Sequence, residues 1–241
     1  MNENTPQKLY LLQLSTTTLP AAMGALEMVL GCYLVEMSDG RHVLIDSGYP
    51  ADVPHPPGAP PAENETNVLE QLSKLGLRPD DIDLLICTHF DIDHAGYHDV
   101  FTKAEFVVQR EHYTLAQSGH PRFAAGRAHW DRPRYRLLDG DMELLPGLIL
   151  LETSGHTPGH QSVLVRLPQS GPVLLAIDAV MMQHLFTPER RAWPMDDNEQ
   201  QLRASTQKLL ALVEHEHVAL VVFGHDGRQW RNLKKAPAYY D

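Results

Sequence analysis

The sequence predicts an αββα sandwich, an α/β fold in which two mixed β-sheets pack on each other and carry helices on their outer faces. Three observations predict it. Short apolar runs bounded by Gly, Pro and polar residues recur in both halves of the chain and read as buried strands. Stretches with one apolar helical face lie among them. Four of the runs end in side chains that can bind metal: Leu84–Cys87 before His89-Phe90-Asp91-Ile92-Asp93-His94, Leu148–Leu151 before Gly155-His156, Val173–Ile177 before Asp178, and Leu220–Phe223 before Gly224-His225. Packing alone does not explain that repetition. Strand ends in loops are where a rigid scaffold presents reactive groups.

In chain order, Lys8–Leu14 reads as a strand and residues 16–24 as a loop. Leu30–Met37 and His42–Ile45 form a hairpin around Asp39-Gly40. The second arm ends at Asp46-Ser47-Gly48, where Asp46 either supports a metal-binding histidine or simply forms the turn. The stretch 25–30 is apolar and suits a pocket or an interface. Residues 50–61 hold six prolines and form a stiff surface loop with an exposed His55. Glu65–Leu75 is a helix with Val68, Leu69, Leu72 and Leu75 on one face and Gly76 as its stop.

Glu105–Gln109 is a strand and Arg110–Gln117 a helix. His98, His112, His120 and His129 are expected at caps or on the surface. Ser118–Arg134 shows no clear period, and a long irregular segment of this kind is the place to look for substrate contacts. Arg134–Leu138, Met142–Leu145 and Leu148–Glu152 are strands separated by Asp139-Gly140-Asp141 and Pro146-Gly147. In Gly155-His156-Thr157-Pro158-Gly159-His160, His156 is the candidate ligand and His160 a structural, hydrogen-bonded residue. Ser162–Leu167 and Pro172–Ile177 follow as strands. Met181, Met182, Leu185, Phe186 and Trp193 read as core before pocket lining. Asp196-Asp197-Asn198 opens a helix reaching His215, and Val218–Phe223 is the last strand.

Composition bounds the function. The chain has 241 residues, 43% hydrophobic, enough for one domain, residues 1–241, with a sizeable core. A net charge of -11 opposes nucleic acid and anionic membranes as partners. No apolar run approaches a membrane span, and Met1–Pro6 shows no signal-peptide pattern. Cys32 and Cys87 lie in apolar runs and read as buried free thiols, so a cytoplasmic protein is expected. With 14 histidines in the chain, most need no functional explanation.

Imidazoles and carboxylates together suit zinc, manganese or iron. Within 89–94, alternation in a turn lets His89 and Asp91 face one way and Asp93 and His94 another, so one loop can serve two neighbouring ions. A water held between two such ions is acidic enough to be the nucleophile at neutral pH. Gly-x-Ser-x-Gly and P-loop motifs are absent.

The chain resembles the metallo-β-lactamase superfamily through 89–94, His156, Asp178 and His225. It is most similar to the N-acyl homoserine lactonases through Asp46-Ser47-Gly48, His94-Ala95-Gly96, residues 155–162, Ala176–Ala179 and Gly224-His225-Asp226. The resemblance implies that His89, Asp91 and His156 hold one ion, that Asp93, His94 and His225 hold a second, and that Asp178 bridges them. It implies zinc, hydrolysis of the lactone ring of N-acyl homoserine lactones (the quenching of quorum signals), a neutral small-molecule substrate, a proton shuttled by Asp93, and a homodimer. Two positions depart from the family pattern. Asp91 stands where the signature has its second histidine, which shifts preference towards iron, manganese or cobalt and puts its ligation in question. Met181 stands where the lactonases carry a tyrosine, leaving His184 or Tyr97 as substitutes. Other lactones, esters or phosphotriesters are the alternative substrates. Diiron redox chemistry is the other alternative, because those members carry a carboxylate at the position of Asp91.

Overall fold

The computed structural model describes residues 4–19, 26–55, 58–131 and 134–241. Among them, seven strands form one sheet. They are β1 (Pro6–Thr18), β2 (Glu27–Met37), β3 (His42–Ile45), β4 (Ala62–Glu63), β5 (Leu84–Ile86), β6 (Glu105–Gln109) and β7 (Tyr135–Leu138), in the order β4-β1-β2-β3-β5-β6-β7. Five more form the second sheet, in the order β12-β11-β10-β9-β8: β8 (Met142–Leu145), β9 (Leu148–Glu152), β10 (Gln161–Leu167), β11 (Gly171–Ile177) and β12 (Leu220–Phe223). Both sheets are mixed. β3, β5, β6 and β7 run parallel, as do β11 and β12, and the other pairs are antiparallel.

Side-chain alternation explains the layers. Leu9 and Leu11 of β1 join Val35, Val43, Ile86, Leu150, Val163, Leu175 and Val222 in a core between the sheets. The alternate residues Tyr10, Leu12 and Leu14 face outward. There they meet α1 (Val68–Lys74), α2 (Arg110–Gln117) and α3 (Arg127–Trp130) through Val68, Leu72, Ala116 and Trp130. On the far side, Leu151, Leu164, Leu174 and Ala176 pack under Leu209 of α4 (Glu199–His215). A short α5 (Gly227–Trp230) inserts Trp230 against Tyr33 of β2. With both faces of each sheet covered, the strands read as near-continuous apolar runs.

The predicted elements occur with shifted ends. β1 extends to Thr18, into the expected loop, because it pairs with β2 as far as Glu27 and with β4 at Glu63. Residues 20–24 of that expected loop, and Ala25 of the apolar stretch 25–30, lie outside the described residues. α1 starts at Val68 because Asn67 accepts from the Glu70 amide, and α4 starts at Glu199 because Asn198 accepts from the Gln201 amide. The segment Ser118–Arg134 is less irregular than its sequence suggests. Phe123 and Trp130 are buried in the core under α2 and α3.

Two histidines expected at caps or on the surface are buried. His112 accepts from the Phe90 amide through Nε2 at 2.7 Å and donates through Nδ1 to the Pro158 carbonyl at 2.8 Å. His98 lies beneath Phe90 and Phe106 and donates to the Tyr135 hydroxyl at 2.9 Å. His129 is half-buried and pairs with Asp52 and Asp99. Burial, helped by His129, pulls the His98 pKa from 6.5 to about 3. The folded chain therefore refuses a proton that the unfolded chain accepts. This contribution is complete above pH 6.5 and is lost as pH falls from there towards about 3. The expected slope is about 1.4 kcal/mol of stability per pH unit. Urea unfolding of the wild type and His98→Phe at pH 6 and 4.5 should show a shallower fall in the variant, and equal slopes would refute this role.

Candidate metal centre

The parallel pairs bring the strand ends together. Ile45 of β3 lies beside Ile86 of β5, so Asp46 comes abreast of the Thr88-His89 turn. Ile177 of β11 lies beside Phe223 of β12, so Asp178 and Gly224-His225 emerge at the same edge. The β9–β10 turn adds His156. Asp46 and Ile177 adopt left-handed backbone, with φ of 60° and 51°. For a β-branched residue such as Ile177 this is a strained conformation, and it sits immediately before Asp178. Gly224 is required opposite: a Cβ there would lie 2.6 Å from the Ile177 carbonyl and 2.8 Å from Asp178 Oδ1.

All seven candidate ligands converge. His89, Asp91 and His156 form one group able to hold an ion, Asp93, His94 and His225 a second, and His89, His94 and Asp178 a third that overlaps both. Asp178 is central. Its Oδ2 lies 3.1 Å from the Nε2 of His225, 3.4 Å from that of His156, 3.7 Å from that of His94 and 3.8 Å from that of His89. Asp91 Oδ2 lies 3.1 Å from His156 Nε2 and 3.4 Å from His89 Nε2. Asp93 Oδ2 lies 3.7 Å from His94 Nε2 and 3.9 Å from His225 Nε2, and is the most exposed carboxylate of the set.

The outer nitrogen of every histidine is occupied. His94 Nδ1 donates to Asp46 Oδ2 at 2.8 Å, His156 Nδ1 to Asp196 Oδ1 at 2.9 Å, and His225 Nδ1 to the Val29 carbonyl at 2.8 Å. The Thr88 hydroxyl donates to Asp46 at 2.7 Å and so accepts from His89 Nδ1 at 2.9 Å. Carboxylates and carbonyls only accept, so each Nδ1 carries a proton and each Nε2 is the nitrogen turned to the centre, where it can ligate once deprotonated. Of its two readings, Asp46 takes the supporting one while also forming the turn.

The donor set fits a metal pair. His89 Nε2, His94 Nε2 and Asp178 Oδ1 are buried without a hydrogen-bond partner, a costly condition that an ion relieves. Donors about 2.1 Å from a tetrahedral ion stand roughly 3.4 Å apart, which matches the spacings around Asp91 and Asp178. The cavity also demands positive charge. Burial opposes protonation of His94 and His156, yet the surrounding carboxylates, Asp93, Asp178 and Asp46 for the first and Asp196, Asp91 and Asp178 for the second, hold them at about 10 and about 9.

His160 is structural, as its sequence context suggests. It accepts from the Asp178 amide at 3.3 Å and bonds the Thr153 hydroxyl at 2.9 Å. Met181 is buried among Leu164, Leu174 and Phe223. The Tyr97 hydroxyl accepts from the Ala51 amide at 3.1 Å. His184 is exposed and lines a cleft of about 660 Å³ with Leu26, Met182 and Asp226, the last adjoining His225.

Two site residues carry no sequence signal strong enough to single them out. Asp196 reads in the sequence only as part of a helix opening. Arg122, from the segment expected to contact substrate, turns inward and clamps Asp91 with Nε and Nη2, both at 2.6 Å. Burial opposes charge on Asp91, but Arg122, then His156 and His89, hold its carboxyl well below the usual range. One signal points towards such a partner. A carboxylate added to a centre already holding Asp93 and Asp178 needs a nearby cation, and arginine is the residue that grips both oxygens.

The profile of the metallo-beta-lactamase superfamily matches residues 32–225. An N-acyl homoserine lactonase of a Bacillus species is 34% identical over 225 residues, covering 89% of this chain and 88% of its own. The N-acyl homoserine lactonase AttM of Rhizobium radiobacter is also 34% identical, covering 83% of each chain. Among solved structures, a quorum-quenching N-acyl homoserine lactone hydrolase superposes with a TM-score of 0.86 at 30% identity, covering 99% of this chain and 100% of its own. An N-acyl homoserine lactone hydrolase with N-hexanoyl-L-homoserine bound at its catalytic metal centre gives 0.84 at 28% identity, covering 98% and 100%.

Proposed function

The chain belongs to the metallo-beta-lactamase superfamily and, within it, to the N-acyl homoserine lactonases, and from that premise we propose that it opens the lactone ring of N-acyl homoserine lactones at a dinuclear metal centre. The observation that carries this reading is the position of Asp178 Oδ2, within 3.8 Å of the Nε2 atoms of all four candidate histidines. His89, Asp91 and His156 would hold one ion, Asp93, His94 and His225 the other, and Asp178 both. Zinc suits the imidazole-rich set, while Asp91 adds the harder donation that iron, manganese and cobalt favour. Such a pair, when bound, supplies Lewis acidity and a water of lowered pKa.

The protein's own groups do the rest. Asp46, Thr88, Asp196 and the Val29 carbonyl keep each histidine in the tautomer that faces the centre. Asp93, part-exposed at the mouth, takes the proton of the attacking water and returns it to the ring oxygen when the carbonyl–oxygen bond breaks. The cleft lined by Leu26, Glu27, His184, Asp226, Arg228 and Arg231, next to His225 along the chain, is the place we assign to the acyl part of the substrate. This favours the pocket reading of the stretch 25–30. A neutral substrate is compatible with the net charge of -11. Buried free thiols at Cys32 and Cys87 suit action in the cytoplasm as one domain.

Hydrolysis converts a neutral lactone to a carboxylate and a proton. Metal-loaded protein in weak buffer with a medium-chain N-acyl homoserine lactone should therefore acidify the solution, and His94→Ala should not. If metal is present and no acid appears, the substrate assignment fails, and aryl esters and phosphotriesters become the next substrates to test.

A further inference from the structure

We infer that Asp91 and Arg122 act as one electroneutral unit that takes the place of a neutral ligand, Arg122 being a positioning residue that offsets the carboxylate's charge and aims Asp91 Oδ2 at the first ion. The inference rests on the dinuclear reading of the site. Arg122 touches no proposed substrate position. Its Nε and Nη2 form a fork on the two Asp91 oxygens, each at 2.6 Å. The fork uses one lone pair of each oxygen, leaving Oδ2 one to direct at the point it shares with His156 and His89. The Arg122 side chain is only 16% exposed, so its charge acts at short range with little screening.

Arg122 is held from behind, independently of any ion. Its Nη1 donates to the Met195 carbonyl at 2.8 Å, to Asp197 Oδ1 at 3.0 Å and to the His156 carbonyl at 3.2 Å. The guanidinium thus joins the loop bearing Asp91, the turn bearing His156 and the loop before α4. Its orientation, and with it that of Asp91, is set by three separate chain segments. Nη2 also donates to His156 Nε2 at 2.8 Å, so the positive charge shared by Asp91 and His156 in this structure is that of the guanidinium itself.

Asp91, Asp93 and Asp178 contribute three negative charges to the donor set, and Arg122 cancels one. Asp91→His with Arg122 retained leaves the guanidinium next to the first ion, paired only with the outlying Asp197. Asp91→His with Arg122→Leu restores the original balance. The experiment is a double-mutant cycle on zinc binding, read by elemental analysis after dialysis and by competition with a chromophoric chelator. Wild type should hold two zinc ions per chain. Asp91→His should bind the weaker ion about 10-fold or more less tightly, and the double variant should recover to within about 3-fold of wild type. With Arg122→Leu binding no more tightly than wild type, the coupling, the product of the matched affinities over that of the mismatched ones, should be about 3 or more.

A coupling near one overturns the inference. So does a wild type that holds one zinc while Arg122→Leu gains a second, because the guanidinium would then stand in for the ion and not for a ligand's charge. If circular dichroism shows Arg122→Leu unfolded, Arg122→Gln takes its place in the same cycle. The readout needs no turnover, so a failed lactone assay leaves the result intact.

Discussion

Asp178→Asn is expected to lower kcat/KM on a medium-chain N-acyl homoserine lactone by roughly a thousand-fold and to leave fewer than two ions per chain. The substitution keeps the shape and removes the charge. In the wild type, Asp178 Oδ1 lies 3.0 Å from His225 Nε2 and is buried without a hydrogen-bond partner, while Oδ2 faces all four imidazoles. An amide is a poor bridge: its nitrogen is a donor with no lone pair to give an ion, so only one oxygen remains where the carboxylate has two. Folding should persist, because the Asp178 backbone N–H donates to His160 Nε2 whatever the side chain. Kinetics, elemental analysis and a thermal melt on one preparation decide the matter. A variant that keeps both ions and loses less than about ten-fold in kcat/KM would remove Asp178 from the centre of the mechanism.

Gly155→Ala should be the most damaging single-methyl change near the site, costing about 3 kcal/mol or more of stability together with affinity for the first ion. Gly155 has φ of +135°, and a Cβ there would lie 2.3 Å from the Leu202 amide nitrogen and 2.4 Å from its Cα. Those atoms belong to the first turn of α4, which cannot yield as a flexible side chain would. The Gly155 carbonyl also accepts from the Asn198 amide at 2.9 Å and the Asp197 amide at 3.0 Å. Pushing α4 away therefore breaks the turn that carries His156 and the loop that carries Asp196. Chemical denaturation should show the stability loss and chelator competition the weaker ion. Near-wild-type values in both would mean that α4 can shift freely.

Much of the site is legible in the amino-acid sequence, for a definite reason. Apolar runs of strand length end, one after another, in His or Asp, and a buried strand has few ways to end except at a sheet edge. His89, Asp91, Asp93, His94, His156, Asp178 and His225 all follow from that pattern together with the family resemblance, and they meet in space. Asp46 stays between two roles on sequence alone, since the same strand-end position serves a turn or a histidine.

What is illegible depends on segments far apart in the chain. Arg122 lies 31 residues from Asp91 and Asp196 lies 40 from His156, in stretches with no period to mark them. His98 and His112 read as surface residues because single histidines carry no burial signal; Phe90, Tyr135 and Pro158 are what enclose them. Strand alternation and amphipathic helices are enough to dictate the layers, and the residues that follow each strand are enough to dictate the donor types. The balance of charge at the site comes from the folded chain alone. An ion pair is settled by proximity in space, and the fork of Arg122 on Asp91 exists only once three loops have been folded onto one another.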